Sequence, residues 1–297
     1  MGMGCTYRED PHHAYKRALR RTDMFGYASR WEFVEDEERT ILEEFEWACG
    51  IGFSVFGLNL DRAQNRSLAP ETLAELRDRA RTRGVGLVVR CPHHLNTARD
   101  DPQVIDEVLN AVRIARALES DRLMIHPGHV LDVLELDRVR ASSLKGATRE
   151  SLASPEETER RLSIAIANLT TIISRSEGLM IALENNAEPY QLGSSVEEFM
   201  ALLDAVPGLR ASISTGHAHV SGGVPAYLAA DTRIINFDMH DNDGTEDEHL
   251  PIGEGSIDFA PIIRFARERS CTMLIDTYRD ELVERALVNA TQIARSL

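Results

Sequence analysis

Short apolar runs alternate with amphipathic stretches along this chain from about residue 23 to its end. Met24 to Ala28 predicts a first strand, Phe53 to Leu58 a second, Leu87 to Val89 a third and Leu123 to Ile125 a fourth. Leu179 to Leu183, Leu209 to Ser214, Ile234 to Met239 and Met273 to Ile275 predict four more. The stretches between them read as helices. Val34 to Cys49 is acidic and amphipathic and stops at Gly50, and Pro70 to Arg83 stops at Gly84. Pro102 to Glu119 sets Ile105, Val108, Leu109, Val112 and Ala115 on one face, the spacing of a surface helix packed on a core. Ser154-Pro155-Glu156-Glu157 and Ser195-Val196-Glu197-Glu198 have the form of capping boxes, the second before a helix from Phe199 to Val206. The last helix, Asp280 to Ser296, is expected to turn Leu282, Ala286, Leu287, Ala290 and Ile293 inward.

Strands that are apolar throughout, rather than alternating, belong to a parallel sheet covered on both faces. Eight strand–helix pairs are the number that closes a single (β/α)8 TIM barrel. A doubly wound open sheet is the competing architecture, but no glycine-rich phosphate loop follows the first strand. The expected organisation is a short N-terminal extension over residues 1–22 and a barrel over 23–297. The extension is a charged arm that either caps the barrel floor or joins a subunit interface of a homo-oligomer.

The charges narrow the partners. A net charge of −15 argues against a broad electrostatic grip on nucleic acid, although a local basic groove stays compatible with it. Lysine occurs only at Lys16 and Lys145 among 33 basic residues, a bias that fits a GC-rich or salt-adapted source. Cys5, Cys49, Cys91 and Cys271 form no C-x-x-C pair and read as reduced intracellular thiols. With no bilayer-length apolar run and no signal-peptide pattern, the expectation is a soluble, cytoplasmic protein.

The candidate chemistry lies where the strands end. His93 and His94 follow the third strand, His126 and His129 the fourth, His217 and His219 the sixth, and His240 and His249 the seventh. Eight histidines at four strand ends are expected to share one site, because a barrel gathers its strand ends at one mouth. The segment from His240 to Gly255 is the densest, and Asp247 and His249 are spaced to grip one ion from an extended segment. Imidazoles and carboxylates together suit a borderline divalent cation. The long connection from Gly128 to Ser154 leaves the same face and reads as a lid, a substrate wall or a surface insertion.

In their order, Ile125-His126-Pro127-Gly128, Leu183-Glu184-Asn185, Ser214-Thr215-Gly216-His217-Ala218-His219 and the stretch from Asp247 to Gly255 resemble the xylose isomerase-like TIM-barrel superfamily. That group holds sugar isomerases and epimerases, inositol-pathway enzymes and endonuclease IV. The resemblance implies metal ligands at Glu184, His240 and Asp276, with Glu184 and Asp276 also moving substrate protons. It implies further ligands at His217, Asp247 and His249, as in the nuclease branch, and at His126. Arg90, His94, His126, His219, Asn186 and Glu254 are candidate substrate contacts. The chain departs from the family at three places: Ser214 replaces an aspartate, Asp276 a glutamate, and Arg90-Cys91-Pro92 stands where the nuclease branch has a histidine. A cation at Arg90 repels a metal. It either holds a carboxylate or phosphate of a substrate through paired hydrogen bonds, or pairs with a strand-end acid. His219 or Asp243 is placed to fill the gap at Ser214.

Three functions follow as expectations. The first is isomerisation or epimerisation of a sugar or polyol, using one or two ions of Mn²⁺, Zn²⁺, Co²⁺ or Mg²⁺ and a metal-stabilised enediolate. The second is zinc-dependent hydrolysis of a phosphodiester or an abasic site. The third is a barrel that binds a sugar-like ligand without turning it over.

Overall fold

The computed structural model describes residues 25–29, 39–131 and 147–297. The N-terminal extension and the centre of the connection after the fourth strand lie outside these residues. Eight parallel strands form a closed barrel in sequence order. They are β1 (Phe25–Ala28), β2 (Val55–Asn59), β3 (Gly86–Arg90), β4 (Arg122–Ile125), β5 (Met180–Glu184), β6 (Arg210–Ser214), β7 (Ile234–Met239) and β8 (Thr272–Ile275). Closure comes from β1 against β8, with Gly26 beside Leu274 and Tyr27 beside Ile275. Helices α1 (Ile41–Ile51), α2 (Pro70–Arg83), α3 (Pro102–Ala117), α4 (Pro155–Arg175), α5 (Val196–Ala205), α6 (Thr215–Val220), α7 (Phe259–Arg269) and α8 (Asp280–Ser296) follow the strands in turn. The single (β/α)8 barrel expected from the pattern is therefore the fold.

Local chemistry moves several boundaries. Helix α1 passes through Gly50 and stops at Gly52, which takes the left-handed conformation at φ 104°. Its predicted start at Val34 lies outside the described residues. Helix α3 ends at Ala117, before Glu119 turns to φ 56°. Helix α5 begins three residues earlier than predicted because Ser195 accepts the Glu198 N–H at 3.2 Å. Neither predicted capping box closes: the Glu157 carboxylate pairs with Arg160 and Arg161 instead, and that of Glu198 with Arg149. In α8 the deepest side chains are Val283, Ala286, Ala290 and Ala294, not the leucines. Small residues let the helix axis approach the barrel, so the leucines flank the contact.

Gly26 and Gly57 leave the space that Leu274 occupies, and a Cβ at Gly26 would lie 2.6 Å from Leu274 Cδ2. At the N-terminal end, Arg122 donates to the Ile235 carbonyl at 2.8 Å and to Thr272 Oγ1 at 2.9 Å, closing the floor. Cys91 and Cys271 are buried free thiols, and burial pushes the Cys271 thiol up to about 11. Cys5 is outside the described residues. No described helix is long and apolar enough to cross a membrane.

Gly26→Ala forces a methyl group into that filled space, and overpacking of this kind costs about 1–3 kcal/mol. The thermal unfolding midpoint, followed by calorimetry, is expected to fall. An unchanged midpoint would show that Leu274 can move aside.

Candidate metal centre

The loop after β7 is built around one carboxylate. Asp241 accepts backbone N–H bonds from Asn242 at 2.9 Å, Gly253 at 3.0 Å, Gly255 at 2.9 Å and Ile257 at 3.1 Å. Paired 2.8 Å backbone bonds between Asp241 and Leu250 close the loop into a ring. Asp247 and His249 sit inside that ring and so inherit its rigidity. His249 itself takes φ 51°, the left-handed region. The Asp247–His249 pair still converges as expected, but through a left-handed turn rather than an extended segment.

Three imidazoles converge on Asp247. His240 Nε2 lies 2.8 Å from Asp247 Oδ1, and His217 Nε2 and His249 Nε2 lie 3.1 and 3.3 Å from Oδ2. The other ring nitrogens explain the convergence. His217 Nδ1 faces the Asn185 carbonyl at 2.8 Å, and His249 Nδ1 faces the Asp276 carbonyl at 2.8 Å. A carbonyl can only accept, so Nδ1 carries the proton in both rings and Nε2 is directed at the common centre. His240 stacks on His249 at 3.7 Å between ring centroids, and Tyr278 stacks on the far face of His249 at 4.4 Å. One donor atom from each of His217, His240, Asp247 and His249 lies within 4.8 Å of the others. Three imidazole nitrogens and one carboxylate are a donor set that fits zinc or a similar borderline cation.

Electrostatics in the cluster is dominated by Asp247. Burial works against the His217 charge, but Asp247 outweighs it and holds His217 up at about 9. His249 is raised for the same reason. His240, which is buried and repelled by His249, is pushed down to about 4. Burial would raise Asp247, yet the three rings hold it well below the usual carboxylate range.

Beside this cluster lies a second, different one. The Arg90 guanidinium at the end of β3 places Nη2 3.0 Å from Asp276 Oδ2 and 3.7 Å from Glu184 Oε2, and Nε 3.7 Å from Asp238 Oδ1. All four side chains are at most 3 % exposed. Of the two roles open to Arg90, pairing with strand-end acids is the one seen. The implied ligand trio of Glu184, His240 and Asp276 is thereby divided: His240 joins the imidazole cluster, and the two acids surround Arg90. A divalent ion 4 Å from a guanidinium is repelled by roughly 8 kcal/mol at an effective dielectric constant near 20. The acid ring does not fit a metal while Arg90 fills it.

The remaining predicted residues are dispersed around the mouth. His126 donates through Nδ1 to Asn186 Oδ1 at 3.0 Å and holds Nε2 3.9 Å from Glu184. Burial, then repulsion from His217, His93 and Arg90, pushes it down to about 3. His94 groups with His93 on Asp61 Oδ1, at 3.3 and 2.7 Å. His219 bonds Ser256 at 2.9 Å, and Glu254 pairs with Arg285 of α8 at 2.7 Å. His129 is tied to the Leu131 carbonyl at 2.8 Å and to Asn96. The expectation of one site for eight histidines is therefore corrected: three converge, two share Asp61, and three serve separate bonds. Neither His219 nor Asp243 fills the gap at Ser214; Asp243 Oδ1 accepts from Thr245 instead.

Two residues escaped the sequence reading. Asp238 hides in the apolar run of β7, yet Asn236, Asp238 and His240 recur every second residue and so face the barrel axis together. That alternation was the available signal. Asp61 follows β2 among residues that give no local sign of a partner in the next strand's loop.

The sequence pattern of the xylose isomerase-like TIM barrel matches residues 45–293. The chain is 28% identical over 209 residues to the uncharacterized protein MJ1311 of Methanocaldococcus jannaschii, covering 66% of this chain and 64% of that protein. It is 21% identical over 155 residues to the uncharacterized protein MJ1614 of the same organism, covering 52% and 53%. The chain thus spans less than two thirds of the length of either relative. Among solved structures, a D-tagatose 3-epimerase-like protein superposes with TM-score 0.71 at 23% identity, over 92% of this chain and 98% of that one. Endonuclease IV from Thermus thermophilus superposes with TM-score 0.62 at 16% identity, over 92% and 100%. At these identities the likeness establishes the fold.

A Cβ at Gly216 would collide with His240 Nε2. Gly216→Ala is expected to displace His240 and weaken zinc binding at least about tenfold in a chelator competition, on the scale of losses from disturbed metal-site support. Because His217 is held at about 9 and must shed its proton to ligate, zinc affinity should rise with pH between 7 and 9. The expected slope is roughly tenfold per pH unit, with proton release visible by calorimetry in buffers of different ionisation enthalpy. A flat profile would contradict the assigned charge on His217.

Proposed function

Because the chain belongs to the xylose isomerase-like TIM-barrel family, we propose that it is a metal-dependent enzyme that isomerises or epimerises a small sugar or polyol at the barrel mouth. The observation that carries this reading is the double use of Asp276. Its carbonyl orients His249 at 2.8 Å, while its carboxylate meets Arg90 at 3.0 Å. Metal-binding imidazoles and proton-handling carboxylates therefore meet at one residue.

His217, His240, Asp247 and His249 would hold a divalent ion, which would supply Lewis-acid polarisation of a substrate oxygen. The chain's own groups do the rest. Glu184 and Asp276 take and return a proton on carbon, as carboxylates positioned at neighbouring points of the mouth. Arg90 balances their negative charge, with Nη2 3.0 Å from the Asp276 carboxylate and 3.7 Å from that of Glu184. His126, kept neutral by burial, offers Nε2 beside Glu184 to orient a substrate hydroxyl. The fold neighbour named for D-tagatose 3-epimerase makes ketohexoses the first substrates to test.

A second reading, zinc-dependent hydrolysis, is favoured by exposure. Asp247 and His217 are 19 % and 14 % exposed, whereas Glu184 and Asp276 are 3 % and 2 %. A partly exposed imidazole–carboxylate centre that can admit a further ligand suits activation of water.

The two readings separate by isotope. On metal-loaded protein, the first predicts wash-in of solvent deuterium at a sugar C–H, followed by NMR. Glu184→Gln is expected to lower that exchange by about 10²–10⁴-fold while the unfolding midpoint stays close to that of the parent. Cleavage of a phosphodiester without wash-in would replace the first reading by the second. Sugar binding with neither reaction would leave a non-catalytic barrel.

A further inference from the structure

We propose that Arg90 takes the place of a cation in the acid ring, so that this chain holds one divalent ion, in the His217–His240–Asp247–His249 cluster, and uses Glu184 and Asp276 as carboxylates rather than as ligands. The inference deepens the function proposed above and rests on its metal centre.

The first support is geometric. The guanidinium is the centre of the ring: its nitrogens reach Asp276, Glu184 and Asp238 at 3.0, 3.7 and 3.7 Å, all from buried side chains. A bound ion needs carboxylate oxygens at about 2.0–2.2 Å and so must sit where the guanidinium now lies. Unlike a lysine or histidine, arginine cannot shed its proton to make room. The cation in the ring is therefore permanent.

The second support is compositional. The family pattern places an aspartate where Ser214 stands. Ser214 is fully buried, lies in register beside Asp238, and its Oγ makes no hydrogen bond among the described residues. The wall thus carries a neutral side chain at Ser214 and a positive charge at Arg90. Both oppose a metal in the ring. Neither touches the imidazole cluster, whose orienting bonds come from the backbone carbonyls of Asn185 and Asp276.

The third support is that Asp276 can serve both clusters without ligating. Its backbone holds His249, so removing the side-chain charge leaves that imidazole in place. This separates the two roles experimentally.

The test is zinc and manganese titration of the full chain, with stoichiometry from elemental analysis and affinity from calorimetry. One ion per chain is expected. Glu184→Gln and Asp276→Asn should each keep that ion with affinity within about threefold of the parent, whereas His217→Ala and His249→Ala should lose it. Arg90→Ala should open the acid ring and take up a second ion, seen as a second equivalent and a metal-dependent rise in the unfolding midpoint. If Arg90→Ala does not fold, the Glu184 and Asp276 titrations decide the matter alone. A second ion in the parent chain that is retained in His93→Ala, and so is not held by the Asp61, His93 and His94 donors, or a tenfold loss of affinity in Glu184→Gln or Asp276→Asn, would overturn the role given to Arg90 while leaving the metal centre standing. No ion in the parent chain would overturn the metal centre and this inference with it.

Discussion

Closure of β1 onto β8 is the constraint from which the chemistry descends. A parallel sheet with no free edges satisfies its backbone groups around the whole ring. It also delivers every strand's C-terminal end to the same opening. Arg90, His126, Glu184, His217, His240 and Asp276 come from six strands or the residues just after them, and none is close to all the others in sequence. Only the closed ring brings them into one mouth. The glycines at 26 and 57 matter for the same reason, since they let Leu274 fill the axis and hold the ring at its radius.

Within that mouth, buried charge is arranged in two balanced groups. One centres a carboxylate among imidazoles: Asp247 among His217, His240 and His249. The other centres a guanidinium among carboxylates: Arg90 among Glu184, Asp238 and Asp276. Uncompensated charge in a buried site is strongly destabilising, so each group needs its opposite at the centre. The difference is what the centre can be exchanged for. A divalent cation can enter beside Asp247 as imidazoles lose protons, because neutral nitrogen lone pairs then face it. No such exchange is open to Arg90.

The imidazole cluster offers the donors of the proposed metal site, and the acid pair offers the carboxylates of the proposed proton transfer. Here they are adjacent through Asp276 and electrostatically coupled, since the charge of Glu184 helps to raise His217 and that of Asp276 helps to raise His249. The function proposed above, proton transfer beside a single ion, is the reading that uses both.

Much of this was legible in the sequence. Eight apolar runs between amphipathic stretches identify the barrel, since a strand buried on both faces must be apolar throughout. The order of His126, Glu184, His217, His240, Asp247, His249 and Asp276 at the strand ends marks the mouth. The repulsion of a metal by Arg90 was also readable from charge alone. What the sequence could not decide was which of these residues face one another. His217 joins His240 rather than His219 because α6 turns one residue per 100° and carries His219 toward Ser256. His93 and His94 are drawn to Asp61 because the loops after β2 and β3 lie side by side only in the barrel. Asp238 becomes a partner of Arg90 because alternation on β7 turns it to the axis. Residue type determined the available chemistry, through charge and lone pairs; ring closure and side-chain direction decided the pairing, because both are properties of three-dimensional register that no local stretch contains.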